Sequence, residues 1–310
     1  MHPALSVIFF TTASGAGYGL LALLGIGTTF GWLPGEATLV TAAGITALVL
    51  VTAGLLSSTF HLGHPERAWR AMSQWRSSWL SREGVMALLT FVPAVAFIGA
   101  SLLHGKHGSF IATAGGINAV FALVTVFTTA MIYASLRSID AWHNAWVPAV
   151  YLCLAVASGM VLLNAFIAWF EGPSAAAGVL AIALLGIGLI VKSAYWRRID
   201  AAPATSSVTS AVGVDRNSRV SLSQAPHSHE NYLQQEMGFQ IARKHARKLR
   251  RLALLGTFVV PILLSACLLG DHGGLARGAS LLAVVSLALG LLTERWLFFA
   301  EAKHTVSLYY

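Results

Sequence analysis

The chain has 310 residues, 56% of them hydrophobic and 10% charged, with a formal net charge of +8. A soluble domain carries about a quarter charged residues, so this composition excludes an ordinary soluble globule and indicates a polytopic membrane protein. The positive balance points to cytoplasmic loops beside anionic lipid rather than to nucleic acid.

A membrane helix needs about 20 mainly apolar residues to cross about 30 Å of hydrocarbon. Eight runs meet that need, at 4–28, 38–60, 84–103, 110–135, 146–169, 175–195, 252–270 and 276–299. They predict an all-α protein with a single membrane domain of eight transmembrane helices. The N-terminus MHPALSVIFF has no basic stretch and no small-residue cleavage site, so the first run is expected to be retained as a span. Within it, TTASGAGYG carries Gly15, Gly17 and Gly19. No strand precedes these glycines, which argues against a phosphate-binding turn. Gly15 and Gly19, four apart, are expected to form a close helix-packing face.

The second run ends at STFHLGHP, where Gly63 and Pro65 break the helix and leave His61 near its end. Then comes HLGHPERAWRAMSQWRSSWLSRE, residues 61–83, with two histidines, four arginines, two carboxylates and three tryptophans in 23 residues. Polar chemistry is concentrated in this loop. Between the fourth and fifth runs, YASLRSIDAWHNAWVP places Arg137, Asp140, Trp142 and Trp146 in a short turn, expected as an aromatic belt with an ion pair at the membrane interface. Residues 200–229 look like a flexible tether, rich in Ala, Ser, Thr, Val and Pro. Residues 230–251, which mix six Lys or Arg with Tyr232, Met237, Phe239, Ile241 and Leu249, suggest a basic amphipathic helix on the membrane surface. That helix serves either lipid anchoring or partner docking. Glu294 and Arg295 sit near the end of the last run, where such charges are expected to pair and to face the bundle interior. Cys153 and Cys267, both inside apolar runs, read as small buried apolar residues.

An even number of spans puts both termini on one side, and that side carries eighteen of the twenty Lys and Arg, against Lys106 and Arg277 on the other. The positive-inside rule therefore assigns both termini and the 61–83 loop to the cytoplasm. The eleven histidines fall in loops or near span ends, so no haem is expected, and neither cysteines nor carboxylates have the spacing of an iron–sulfur or zinc site. Any redox centres are expected on partner chains.

His61 and Glu83 flank the loop and return to the membrane on the same side, which puts both at adjacent helix ends. A histidine that titrates near neutrality and a partly buried carboxylate suit the proton-coupled chemistry of a quinone headgroup entering from lipid. Arg67 is placed to steady the carboxylate or to polarise the second quinone oxygen. The alternative is that His61 and Glu83 only cap helices and satisfy the arginines.

At HLGHPERAW (61–69), WLSRE (79–83) and SIDAWHNAWVP (138–148), with weaker support from ERWLFF (294–299), the sequence resembles the dimethyl-sulfoxide-reductase anchor subunit family. That family lies within the wider polysulfide-reductase-type group of eight-helix quinone-binding membrane subunits. The resemblance implies a membrane subunit that holds a molybdopterin catalytic subunit and an iron–sulfur subunit, and exchanges electrons with menaquinone or ubiquinone in a bacterial cytoplasmic membrane. It carries the family's quinol-site histidine to His61 and its functional glutamate to Glu83, with Gly63, His64, Arg67, Ser81 and Arg82 of the same motifs around the quinone. His64 stands where the family pattern has serine. No metal site is implied on this chain. Because the iron–sulfur partner must lie on the face that carries the quinone site, the cytoplasmic assignment favours a cytoplasm-facing sulfite:quinone oxidoreductase. A dimethyl-sulfoxide or related reductase anchor oxidising quinol is the nearest alternative, and a passive anchor or transporter the alternative from another class.

Overall fold

The computed structural model describes residues 5–33, 36–60, 62–105, 108–201, 207–215, 217–221, 223, 243–270 and 273–305. Among these residues, eight helices are long and apolar enough to cross a membrane: α1 (Leu5–Thr29), α2 (Ala37–Thr59), α3 (Trp79–His104), α4 (Ser109–Ala134), α5 (Trp146–Phe170), α6 (Ala175–Ala201), α7 (Ala246–Leu269) and α8 (Gly273–Ala300). A chain with no water to bond must satisfy its backbone internally, and the helix does so within one segment. Hydroxyls follow the same logic. Thr11, Ser14, Thr28, Thr46, Thr90 and Thr113 each donate to the carbonyl four residues earlier.

Three helices reach past their apolar runs. α3 begins at Trp79 and so includes Glu83, α6 continues to Ala201, and α7 starts at Ala246. A hydrophobic run marks only the stretch that needs lipid, whereas the hydrogen-bonded helix extends into the polar interface.

α1 and α5 form the centre. In each, 72% of the most apolar window is buried, against 33–44% in the other spans. Their contact is backbone on backbone: a Cβ added at Gly19 would overlap the Ala155 carbonyl, and one at Gly159 would overlap Gly19 and Leu20. Gly17 meets α2 at Ala47, and Gly25 meets α4 at Gly115. The packing face expected at Gly15 and Gly19 is thus met by Gly19 but not by Gly15, where a Cβ would find nothing within 4 Å. Gly17 and Gly19 meet different helices because two residues turn about 200° around a helix.

The outward surface is apolar. Val92, Leu103, Ile190, Leu282 and Leu289 are exposed, while Asn118, Thr125, Lys192 and Glu294 are buried. This corrects the reading of the cysteines: Cys267 is exposed and Cys153 half-buried, because an apolar side chain in lipid has no need of the core.

α7 is irregular for a reason. Pro261 has no N–H, and a π turn at Leu255–Val259 precedes it. The Gly256 carbonyl, five residues before the proline, receives a hydrogen bond from the Ser286 hydroxyl of α8 at 3.0 Å.

The 200–229 stretch is described in part. Its first two residues end α6, and Val208–Ala211 forms one helical turn closed by a Ser207–Ser210 capping box. Of the expected 230–251 amphipathic helix, residues 230–242 lie outside the described residues. The described part makes contacts with the bundle: Arg243 donates to the carbonyls of Ala300 and Ala302, and Arg250 bonds Asp200 and Glu301. Carbonyls at the end of α8 and two carboxylates are favourable partners for these cations.

Candidate functional site

The segment after α2 runs over the end of the bundle as a 3-10 helix, Pro65–Gln74, with proline in its first turn and no buried residue. Three contacts hold it to α3. The buried Ser81 hydroxyl donates to the Ala71 carbonyl, Met72 lies 3.6 Å from where a Cβ on Gly84 would be, and Arg82 turns back to the carbonyls of Trp75 and Arg76 at 3.0 and 2.7 Å. The Arg82 guanidinium also covers the Trp79 ring, 4.3 Å from its centroid. Trp79 in turn meets Phe127 of α4 edge-on.

The site residues inferred from the sequence separate into two groups. Ser81 and Glu83 point inward, at 2% and 6% exposure. Gly63, His64 and Arg67 are exposed and Arg82 is half-buried. The carboxylate beside Arg67 is Glu66 (3.7 Å) and not Glu83, and His64 Nδ1 lies 3.0 Å from the same Glu66 oxygen. Two neighbours in the sequence satisfy each other in solvent more readily than either reaches a buried helix face. His61 lies outside the described residues.

Glu83 sits in the second turn of α3, and its Oε1 accepts no hydrogen bond from any described residue. Thr129 of α4 is beside the carboxyl, and the phenols of Tyr18 and Tyr133 are close enough to feel its charge. The Tyr18 hydroxyl, on α1, is also buried with no partner among the described residues. A buried polar atom left unpaired costs about 1–3 kcal/mol. Each such group is a place where a polar ligand would be stabilised.

Sequence reasoning missed a second polar set. Lys192 of α6 pairs with Glu294 of α8, whose other oxygen lies 3.0 Å from Arg295 Nε, and all three are at most 3% exposed. Lys192 and Arg295, counted above among the cytoplasmic-side cations, are therefore inside the bundle. The signal was present, since Lys192 falls within the sixth apolar run. Arg295 lies 3.9 Å over the Tyr151 ring, and Lys192 lies over Tyr195 and Trp196. The pairing and inward orientation expected of Glu294 and Arg295 are both observed.

Aromatic packing joins two of the sequence motifs. Trp142 is buried rather than in an interfacial belt; it stacks on Phe298 and donates to the Phe298 carbonyl at 3.0 Å. Tyr133, Tyr151 and Phe299 complete the cluster. Tyr195 donates to the Ala141 carbonyl, and the Thr305 amide to Ser138. The turn at 138–148 and the end of α8 thus form one unit at the same end of the bundle as Glu83. Among the described residues, no group of three or more His, Cys, Asp or Glu side chains is placed to hold a metal ion.

The chain is 35% identical to a sulfite dehydrogenase subunit of Allochromatium vinosum over 330 aligned positions, which cover all of this chain and 99% of that protein. No solved structure matches the chain. The family model for the DMSO reductase anchor subunit (DmsC) matches residues 1–300. With eight apolar helices and a full-length match on both comparisons, the chain is a multi-pass membrane protein that belongs to the DMSO reductase anchor subunit (DmsC) family.

Proposed function

We propose that this chain is the quinone-reactive membrane anchor of a molybdopterin oxidoreductase, with Glu83 and His61 at the quinone headgroup. The observation that carries the reading is the buried Glu83 carboxylate with an oxygen that has no partner among the described residues, within whose field the likewise unpartnered Tyr18 hydroxyl lies. These groups fit the headgroup, whose two oxygens need polar partners in an otherwise apolar surround. When bound, a quinone takes up two electrons and two protons. Glu83 holds a proton at a carboxyl oxygen and passes it on, Thr129 orients that carboxyl, and His61 donates to the opposite oxygen. The 3-10 segment over α3 keeps bulk water from the site.

Electrons reach this end of the bundle from an iron–sulfur subunit docked over the 62–83 segment, with the molybdopterin subunit beyond it. The name of the Allochromatium vinosum relative supports sulfite as the donor, oxidised on the molybdenum subunit. The distribution of Lys and Arg supports a cytoplasmic position for both partners, in a bacterial cytoplasmic membrane. The family description favours a second reading, in which the complex oxidises quinol and reduces dimethyl sulfoxide or a related acceptor.

The test is Glu83→Gln and His61→Ala in the purified complex. Both variants are expected to assemble with their partner subunits and to lose about 100-fold or more of quinone turnover, the scale of general acid–base catalysis. Wild-type turnover in assembled variants sinks the proposal. Sulfite-dependent quinone reduction, compared with quinol-dependent sulfoxide reduction by the same preparation, decides between the two directions.

A further inference from the structure

Where α6 finishes and α7 starts, the cations take two directions. Arg243 and Arg250 turn inward, to carbonyls and carboxylates of the chain itself. Lys244, Arg247, Lys248 and Arg251 are exposed, as are Arg197 and Arg198 of α6, and none of these six is paired with a described carboxylate. α6 and α7 run antiparallel, with Gly188 against Phe258 and Gly178 against Ser265, and Arg250 bonds Asp200 across the pair. That register sets Arg197 and Arg198 level with the first turns of α7. The six cations therefore form one layer.

What the layer fits follows from what lies beneath it. Arg247, Lys248 and Arg251 stand at helical spacing from Leu252, Leu255, Val259 and Leu263, which are all exposed, so the outward face of α7 changes from cationic to apolar within about one turn. On α6, Arg197 stands about two turns beyond the exposed Ile190. An exposed apolar face of a spanning helix meets acyl chains, and the layer just above it meets headgroups. Sign and depth both match an anionic lipid. The acidic face of a protein partner fits the position less well: α6 and α7 pack against α5 and α8, whereas the segment proposed for partner docking lies on α3, which packs against α2 and α4.

We infer that this end of α6 and α7 binds an anionic phospholipid, with its phosphate held by Arg247, Lys248 and Arg251 together with Arg197 and Arg198, and an acyl chain along the row from Leu252 to Leu263. The bound lipid links two helices that the chain itself joins only through the long connection after Ala201. The site is separate from Glu83 and does not depend on the quinone reading.

Native mass spectrometry of the intact complex tests it. With phosphatidylglycerol and phosphatidylethanolamine supplied equally, the wild type is expected to retain phosphatidylglycerol in preference. The triple variant Arg247→Gln, Lys248→Gln, Arg251→Gln is expected to retain about 10-fold less or lower, since each cation near an anionic surface contributes a several-fold factor. Unchanged retention in the variant overturns the site, and loss of the partner subunits from it assigns the stripe to protein docking instead. A second measurement needs only the wild type. A phosphatidylglycerol with a photoreactive headgroup is expected to label residues 244–254, and unlabelled phosphatidylglycerol, but not phosphatidylethanolamine, to compete the label away. Labelling confined to other helices, or equal competition by both lipids, rejects the site.

Discussion

A single Cβ separates tolerated from ruinous at the glycines of α1. Gly19→Ala drives a methyl into the Ala155 carbonyl of α5, whereas Gly15→Ala meets nothing within 4 Å. Overpacking of a rigid backbone contact costs about 1–3 kcal/mol and sometimes more. Gly19→Ala is therefore expected to lower the melting temperature of the purified protein by several degrees or to prevent its accumulation, while Gly15→Ala leaves it unchanged or slightly raised. Equal melting curves for the two would refute the central α1–α5 contact. Glu83 shows how far residues alone carry: its place at a helix start among polar motifs was legible in the sequence, but not that Arg67 would be taken by Glu66. The contest between an adjacent residue and a buried group across the helix end is decided by geometry.

At the scale of elements, apolar runs disclosed all eight helices because lipid imposes one requirement on each of them, an unbroken run of about 20 apolar residues. Their polar ends were less legible. The first turn of α3 and the last two turns of α6 follow from hydrogen bonding and tertiary support, not from hydropathy. The start of α7 shows the same thing, since Arg250 ties it to both Asp200 of α6 and Glu301 beyond α8. Hydrogen bonds to charged groups are worth about 1.5–3 kcal/mol. Arg250→Gln is expected to destabilise the α6–α7–α8 end on that scale, read as faster amide exchange in residues 246–254 and 295–301; exchange as in the wild type would show that the two pairs contribute nothing. The π turn of α7 was legible only as Pro261, and the Ser286 hydroxyl that bonds its Gly256 carbonyl lies on another helix.

For the whole molecule, the alternation of helices and the placement of Lys and Arg predict both termini in the cytoplasm. A periplasmic reporter fused after Tyr310 is expected to be inactive, and an active one would reverse the assigned orientation. Moving Lys192 and Arg295 into the bundle leaves this prediction standing, because sixteen of the remaining eighteen Lys and Arg still fall on one side. Composition and hydropathy by themselves determined an all-helical membrane protein, and the motifs at 61–69, 79–83 and 138–148 pointed to its family, because lipid solubility and polar turns leave marks in consecutive residues. Only the tertiary structure decided that the 138–148 turn packs on the end of α8, that Glu83 is buried beside Thr129 of α4, and that Lys192, Glu294 and Arg295 meet inside the bundle. The reason is physical: each of those contacts joins helices far apart in the chain, and a pattern read along one helix does not say which neighbour its buried face will meet.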